Sequence, residues 1–330
     1  MTKIKLTQKL AVTLMVGAAL LTGCGKATEA NGTKDKVKIG ISQIVEFAAL
    51  DDNRKGFIKA LEDNGYKQGV NLDVDYQNAQ GDMSTAQTIA KQFASKKKDL
   101  IFAIATPSAQ GAYNATKKIP VMISAVTDPV AAGIVKALEK PETNVSGTSD
   151  YLPADKQLDL IKMFVPKAKR TGVLYNTSEI NSEVQVNQLK EYAQKNNYEV
   201  VPVGVTSTNE VNEAISSLLG KIDVLYVPTD NLVVSAMPII VQKTLEKKIP
   251  VIASESGSVE AGALATQGID YYKLGYKTGE MAVKVLKGED ISKMPISRPE
   301  ETQIIVNEDS LKALSREKID NKNIVYVKSK

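Results

Sequence analysis

The stretch VKIGISQIVEFAALDDNRKGFIKALEDNG, residues 37–65, joins a short apolar run to a longer amphipathic segment. Its first six residues are rich in β-branched side chains, which is typical of a buried strand. Further along, Phe57, Ile58 and Leu61 share one face at helical spacing, and Gly65 supplies a helix stop. The stretch therefore predicts a strand followed directly by a helix, the unit from which parallel α/β sheets are built.

This strand and helix unit repeats along the chain. In the first half, the apolar runs VNLDVDY, DLIFAIA and IPVMISAV alternate with helical patterns. In the second half, TGVLYN, YEVVPVGV and IDVLYVPTD follow the same order. Gly172 then corresponds to Gly40, and Thr229 to Thr106. Because alternating strands and helices indicate parallel sheets covered on both faces, the sequence predicts two similar α/β domains facing each other across a cleft.

The composition excludes several kinds of chemistry. The chain has 330 residues, no histidine and one cysteine, so it lacks the usual ligands of zinc, copper and haem. The net charge is only +4, and the densest basic run, Lys96–Lys98, has no interleaved aromatic residues, which argues against nucleic-acid binding. No dinucleotide-binding fingerprint follows a strand, and no phosphate-binding loop motif occurs. We predict no catalytic residue, metal site or cofactor. The alternative, an enzyme that uses carboxylates alone, requires two acidic side chains converging in the cleft.

The single cysteine ends an N-terminal apolar segment. Three lysines and an apolar run ending at Leu21 precede Thr22, Gly23 and Cys24, an arrangement typical of a secretory signal. The run is too short to span a bilayer comfortably. Leu21-Thr22-Gly23-Cys24 resembles a bacterial lipobox, in which the cysteine sulfur receives a diacylglyceryl group and becomes the new N-terminus. This resemblance implies a lipid anchor at Cys24.

Several stretches at the predicted cleft loops occur together and in order, namely GISQIVEFAALD, GFIKALEDNGY, IATPSAQG, AVTDPVAAG and VPTDN. With them the chain resembles the extracellular solute-binding lipoproteins of ABC transporters, in the branch close to the tryptophan- and aromatic amino acid-binding proteins. The resemblance implies the type I periplasmic-binding-protein fold. In that fold, two Rossmann-like domains with parallel sheets flanked by helices are joined by a three-segment hinge.

The resemblance also implies domain boundaries. These are a signal peptide over residues 1–23, a flexible tether over 24–36, an N-terminal α/β domain over 37–146 plus 268–298, and a C-terminal α/β domain over 147–267 plus 299–330. The chain would cross between domains near residues 146–150, 263–268 and 298–302. Three crossings would couple domain closure to ligand binding.

An amino-acid ligand needs partners for its two charged ends. Ser108 stands at a predicted helix start and is the candidate for the ligand carboxylate, although the same position also suits a helix cap. Asp230 is the candidate for the ligand ammonium, held from the second domain, and Asp128 is its rival. For both aspartates, a role in forming a turn is the alternative, and we expect Asp128 to organise the turn before Pro129.

The ring of the ligand would need aromatic neighbours. The candidates are Phe47, Tyr151 and Tyr175, although Tyr175 also suits the core. The full set of predicted ligand-binding residues is Gln43, Phe47, Asp51, Thr106, Ser108, Ala109, Thr127, Asp128, Tyr151, Asn176, Ser178, Thr229, Asp230, Asn231 and Glu255.

Together, the lipobox and the family resemblance imply a lipoprotein on the extracellular face of the bacterial cell membrane. It would capture tyrosine or tryptophan and deliver it to an ABC permease. One alternative is a sugar- or nucleoside-binding receptor of the same fold. Sugar clefts, however, usually stack rings on tryptophan, which this chain lacks, and they have no need for an ammonium partner. A second alternative is that the surface lipoprotein also binds host cells as an adhesin.

Overall fold

A computed structural model describes residues 36–196, 198–299 and 301–330. Cys24, the predicted signal peptide and almost all of the predicted tether lie outside these residues. In the described part of the chain, no helix combines the length and apolar character needed to cross a membrane.

The first half of the chain forms a five-stranded parallel sheet with its connecting helices, which we call the N-lobe. Its strands are β1 (Val37–Gln43), β2 (Leu72–Asn78), β3 (Leu100–Ile104), β4 (Val121–Ser124) and β5 (Val145–Gly147), and its first helices are α1 (Ala48–Asp63), α2 (Met83–Ser95) and α3 (Thr106–Ala115). The strand order is β2-β1-β3-β4-β5, and neighbouring strands all run parallel. The central strand β3 is buried along its whole length, as its apolar run predicts.

The second half forms a seven-stranded sheet with its own helices, which we call the C-lobe. Its strands are β6 (Arg170–Asn176), β7 (Glu199–Val205), β8 (Val224–Val227), β9 (Val251–Ala253), β10 (Ala265–Gly268), β11 (Gln303–Asn307) and β12 (Ile324–Val327). Its helices are α4 (Ala154–Phe164), α5 (Ile180–Lys195), α6 (Thr208–Leu218), α7 (Asn231–Ser235), α8 (Met237–Glu246), α9 (Ser256–Glu260) and α11 (Glu308–Ala313). The strand order is β12-β11-β10-β9-β8-β6-β7.

The chain passes between the lobes after β5, after β10 and before β11. After β10 it returns to the N-lobe as helix α10 (Tyr271–Leu286), which packs along α1, and a short 3₁₀ helix follows at Ile291–Lys293. It then re-enters the C-lobe where β10 ends, since Gln303 pairs with Gly268. β11 must therefore run antiparallel to β10, a departure from the purely parallel sheets that the sequence predicts.

Gly40 and Gly172, the corresponding glycines of the two halves, are needed for the same structural reason. A Cβ on Gly40 of β1 would lie 2.6 Å from the ring of Phe93, and a Cβ on Gly172 of β6 would lie 2.7 Å from Ile222 Cδ1. In each lobe, a bulky side chain packs directly on the backbone of the first strand. The sequence repeat thus reflects repeated packing, and the predicted fold class of two α/β units is confirmed.

Candidate ligand-binding cleft

A small cavity lies where the strand ends of the two lobes face each other. In open α/β sheets, ligands bind beyond the carboxyl ends of the strands. Here those ends line a small cavity with a free volume of about 20 Å³. Its lining residues are Phe47, Leu50, Ala105, Thr106, Ala125, Thr127, Asp150, Asn181, Thr229, Asp230, Asn231, Val234, Glu255 and Tyr271.

The lobes meet around this cavity rather than standing apart. Thr127 follows β4 of the N-lobe and Thr229 follows β8 of the C-lobe, and their hydroxyl oxygens are 3.1 Å apart. Phe47, at the start of α1, packs against core side chains of both lobes. The arrangement is therefore that of a closed cleft.

Two alanines at the cavity have an unusual backbone conformation. Ala105 follows β3 with φ of 75°, and Ala125 follows β4 with φ of 55°, in the left-handed region that favours glycine. Such strain persists where the surrounding structure enforces it, and it is common at functional sites. Here it turns the chain sharply at the strand ends, and Thr106 and Thr127 both reach the cavity wall.

At the start of α3, beside the N-lobe side of the cavity, two buried hydroxyl groups have no protein partner among the described residues. Thr106 is 2% exposed and Ser108 is 0% exposed, and neither hydroxyl oxygen has a hydrogen-bond partner among the described residues. Ser108 does not cap its own helix, because the N-cap position of α3 is Ala105. The first N–H groups of a helix and its dipole favour an anion. This end of the cavity is therefore suited to a carboxylate.

On the C-lobe side, both carboxylate oxygens of Asp230 accept hydrogen bonds from protein groups. Asp230 is the N-cap residue of α7 and is 1% exposed. One carboxylate oxygen accepts hydrogen bonds from the Asn176 N–H and from the Ser182 hydroxyl at 2.7 Å, and the other accepts one from the Val233 N–H at 2.8 Å. Burial, and secondly the negative charge of Glu179, raise the pKa of Asp230 to about 7. Asp230 thus connects several segments of the cavity wall through hydrogen bonds. Its contact with a ligand ammonium stays a prediction.

The carboxylate of Glu255 likewise accepts hydrogen bonds from protein groups. Glu255 is 2% exposed and caps α9, where its carboxylate accepts hydrogen bonds from the Gly257 N–H at 2.5 Å and the Ser258 N–H at 2.6 Å. Burial raises its pKa above the usual carboxyl range. Across residues 36–196, 198–299 and 301–330, no group of three or more acidic or cysteine side chains is arranged to hold a metal ion.

Asp150 has different surroundings. It lies just beyond β5, is 4% exposed, and accepts a hydrogen bond from the Tyr271 hydroxyl on Oδ2 at 2.9 Å. Its Oδ1 is buried and has no partner among the described residues. Burial raises the pKa of the Asp150 carboxyl, and burial together with the Asp150 charge raises the pKa of the Tyr271 phenol. The phenol therefore keeps its proton and remains the donor in this pair.

The cavity brings together about half of the residues predicted to bind the ligand. These are Phe47, Thr106, Thr127, Thr229, Asp230, Asn231 and Glu255. Ser108 and Ala109 are fully buried in α3 just behind Thr106. Asn176 is buried behind Asp230, and the predicted ring contact Tyr175 packs against the C-lobe core instead.

The other predicted residues lie outside the cavity wall. Gln43 donates a hydrogen bond to Asp51 at 2.9 Å, so these two side chains bind each other. Asp128 accepts hydrogen bonds from two backbone N–H groups of the following turn, which is the role predicted for it. Tyr151 packs under an arginine guanidinium, 4.6 Å from the ring centroid. Ser178 is exposed.

Sequence reasoning missed half of the cavity wall. The missed residues are Leu50, Ala105, Ala125, Asp150, Asn181, Val234 and Tyr271. Asp150 comes shortly after a strand and Asn181 lies in the first turn of α5, so their positions at strand and helix ends could have marked them. Tyr271 is likewise the first residue of a helix, α10, but it reaches the cavity only because α10 returns to the N-lobe.

Two lobes that close over a buried cavity at their strand ends define the class of two-domain solute-binding proteins. The family described as ABC transporter substrate binding protein matches residues 38–327. The chain belongs to this family, which confirms the resemblance read from the cleft loops.

Three relatives are particularly similar. A tyrosine-binding protein of Clostridioides difficile (strain R20291) is 58% identical over 337 residues, which cover 100% of this chain and 98% of the relative. The ligand-free, open structure of a substrate-binding protein with adhesive properties from Clostridium difficile is 67% identical, covers 89% of this chain and 100% of that one, and superposes with a TM-score of 0.70. An ABC domain from Streptococcus pneumonia in complex with L-Trp is 39% identical, with coverages of 85% and 95% and a TM-score of 0.82.

The TM-scores agree with a closed cleft in this chain. The open structure superposes less well than the L-Trp complex, although it is much more similar in sequence. The reversal is consistent with a closed cleft here, where the Thr127 and Thr229 hydroxyl oxygens are 3.1 Å apart, beside a relative that is described as open. Type I binding proteins that are only 14% identical superpose with TM-scores of 0.58 and 0.60, which shows the shared fold alone.

Proposed function

We propose that this protein captures an aromatic L-amino acid, tyrosine or tryptophan, in the interlobe cavity and delivers it unchanged to an ABC permease. The observation that carries the proposal is the cavity, which combines apolar side chains with buried polar atoms that lack protein partners. The names of the tyrosine-binding relative and of the L-Trp complex support an aromatic amino acid as the ligand. A sugar or nucleoside ligand is the less favoured candidate.

The ligand would be divided between the polar and apolar parts of the wall. Its carboxylate would lie at the start of α3, where Thr106 and Ser108 have unpartnered hydroxyls. Its ring would lie against Phe47, Leu50 and Val234. Aromatic contacts of this kind contribute about 0.5–1.5 kcal/mol beyond the burial of apolar area.

The ligand would also hold the lobes together. Phe47 belongs to the N-lobe and Val234 to the C-lobe, so a ligand that touches both makes its full set of contacts only in the closed state. A ligand shifts a conformational equilibrium by its difference in affinity for the two states. The proposed role is therefore to present a closed, loaded form to the permease.

In calorimetry with the purified protein, tyrosine or tryptophan should bind ahead of phenylalanine. At a thousand times its dissociation constant, such a ligand should add about 4 kcal/mol to the free energy of unfolding. Binding of a sugar without binding of any aromatic amino acid would contradict the proposed function.

A matched pair of serine variants tests the carboxylate position. Ser108→Ala should weaken binding by about 10-fold to 100-fold, because a hydrogen bond to a charged group contributes about 1.5–3 kcal/mol. Ser95→Ala removes a hydroxyl from the exposed end of α2, where it bonds only to the Gln92 carbonyl among the described residues. That variant should bind the ligand like the parent protein.

We further propose that the protein is held at the extracellular face of the cell membrane by lipid attached to Cys24. The support is the order of lysines, apolar run and small residues before this cysteine. Two acyl chains give stable anchoring, whereas one gives only reversible binding. The tether would leave the lobes free to close and to reach the permease.

A second candidate function is adhesion to host cells. A solved relative that is 67% identical is described as a substrate-binding protein with adhesive properties. Deleting the gene and measuring attachment and amino-acid uptake separately distinguishes the two functions. Attachment that equals that of the parent strain would contradict the adhesive role and leave the transport role intact.

A further inference from the structure

Three carboxyl groups line the cavity, and they differ in how many hydrogen bonds they already accept. Asp230 accepts three from protein groups. Glu255 accepts two from backbone N–H groups and one from the Ser258 hydroxyl. Asp150 accepts one on Oδ2, from Tyr271, and its buried Oδ1 has no partner within hydrogen-bonding geometry in the described part of the chain, although the Thr127 hydroxyl is close enough to favour the ionised carboxyl.

We propose that Asp150 is the counter-charge for the ligand ammonium and so selects amino acids over acids that lack the amine. The inference rests on the proposed function, since it assigns one end of the same ligand. It differs from the sequence prediction, which gives this role to Asp230. The geometric reason is that a ligand ammonium can add a hydrogen bond at Asp150 Oδ1, whereas both oxygens of Asp230 already hold the C-lobe wall together.

No cationic side chain forms an ion pair with Asp150 in the part of the chain that the structure describes. None of the ion pairs formed within 4 Å among the described residues includes Asp150. A buried carboxylate without a cation is costly, and its pKa rises as a result. An ammonium that enters the cavity would remove this cost by pairing with the ionised form.

The position of Asp150 also indicates that the ligand binds the N-lobe before the C-lobe closes. Its backbone N–H bonds to the Val126 carbonyl at 3.3 Å, and its side chain bonds to Tyr271 of α10, so Asp150 is held by the N-lobe. The α3 hydroxyls proposed for the carboxylate belong to the same lobe. Both charged ends of the ligand would thus bind the N-lobe, and the C-lobe would close over the ring.

The test compares L-tyrosine with 3-(4-hydroxyphenyl)propanoic acid, which is the same molecule without the amine. In calorimetry, Asp150→Asn should weaken L-tyrosine binding by about 30-fold to several thousand-fold, the usual effect of removing one partner of a buried charge pair. The affinity for the acid should not fall, because the acid has no ammonium to lose. The Asp150→Asn variant should therefore lose the preference for L-tyrosine over the acid that the parent protein shows.

The control is Asp223→Asn. Asp223 precedes β8 at the end away from the cavity, where it accepts hydrogen bonds from the N–H groups of Lys169 and Arg170. This variant should keep the parent affinities for both compounds. If Asp150→Asn does not fold, as judged by its thermal unfolding, Asp150→Ser is used for the same comparison.

The two proposals fail in different ways. If the parent protein prefers L-tyrosine and a folded Asp150 variant keeps that preference, the ammonium lies elsewhere and the inference is wrong. If the parent protein binds no aromatic amino acid at all, the proposed function itself is wrong, and the inference is overturned with it.

Discussion

Gly275→Ala is expected to destabilise the folded protein by about 3 kcal/mol, the upper part of the usual range for overpacking a core. Gly275 lies in α10 where this helix crosses α1. A Cβ there would lie 1.8 Å from the Asn53 carbonyl oxygen and 2.6 Å from the Asn53 carbonyl carbon. Asn53 cannot easily move, because its side-chain amide donates to the Ser124 hydroxyl at 2.8 Å and to the Tyr271 carbonyl at 3.2 Å. The helices would have to separate.

The matched control is the same substitution in another helix. A Cβ on Gly111 of α3 would lie 3.3 Å from its nearest neighbours, so a small adjustment suffices. Gly→Ala also favours a helix by about 1 kcal/mol, and Gly111→Ala should stay within about 1 kcal/mol of the parent. Urea unfolding measures both variants. Equal unfolding midpoints for Gly275→Ala and the parent would show that the contact between α1 and α10 is looser than described.

Cys24→Ser is expected to abolish lipid attachment, because the diacylglyceryl group of a lipobox cysteine is joined to its sulfur. Metabolic labelling with a fatty acid should give no labelled protein, and the protein should leave the membrane fraction or accumulate with its signal peptide uncleaved. Cys24 precedes the lobes, which begin at β1, so the released form should bind its ligand with the parent affinity.

Thr22→Ser is the control for this experiment. It keeps a small residue before the cysteine and should leave labelling and membrane association unchanged. A Cys24→Ser protein that still carries fatty acid would exclude the lipobox interpretation, whatever the protein binds.

The sequence alone predicted the two α/β lobes and about half of the cavity wall. These features depend on local patterns, namely the alternation of apolar runs with helical segments and the positions where strands end. Thr106 and Thr229 follow corresponding strands, so the repeat by itself predicts that both lie at facing edges. Gly40 and Gly172 were matched in the same way, because each lobe repeats one packing arrangement.

Only the tertiary structure decided which acidic side chain remains available in the cavity. Sequence patterns identify an aspartate after a strand, but they do not count the donors that other segments bring to it. Asp230 receives donors from α5 and from the end of β6, and Asp150 receives one from Tyr271, which lies 121 positions away. The antiparallel strand β11 depends likewise on where the chain re-enters the C-lobe. Hydrogen bonds and strand directions of this kind form between distant segments, so they are settled only when the chain is folded.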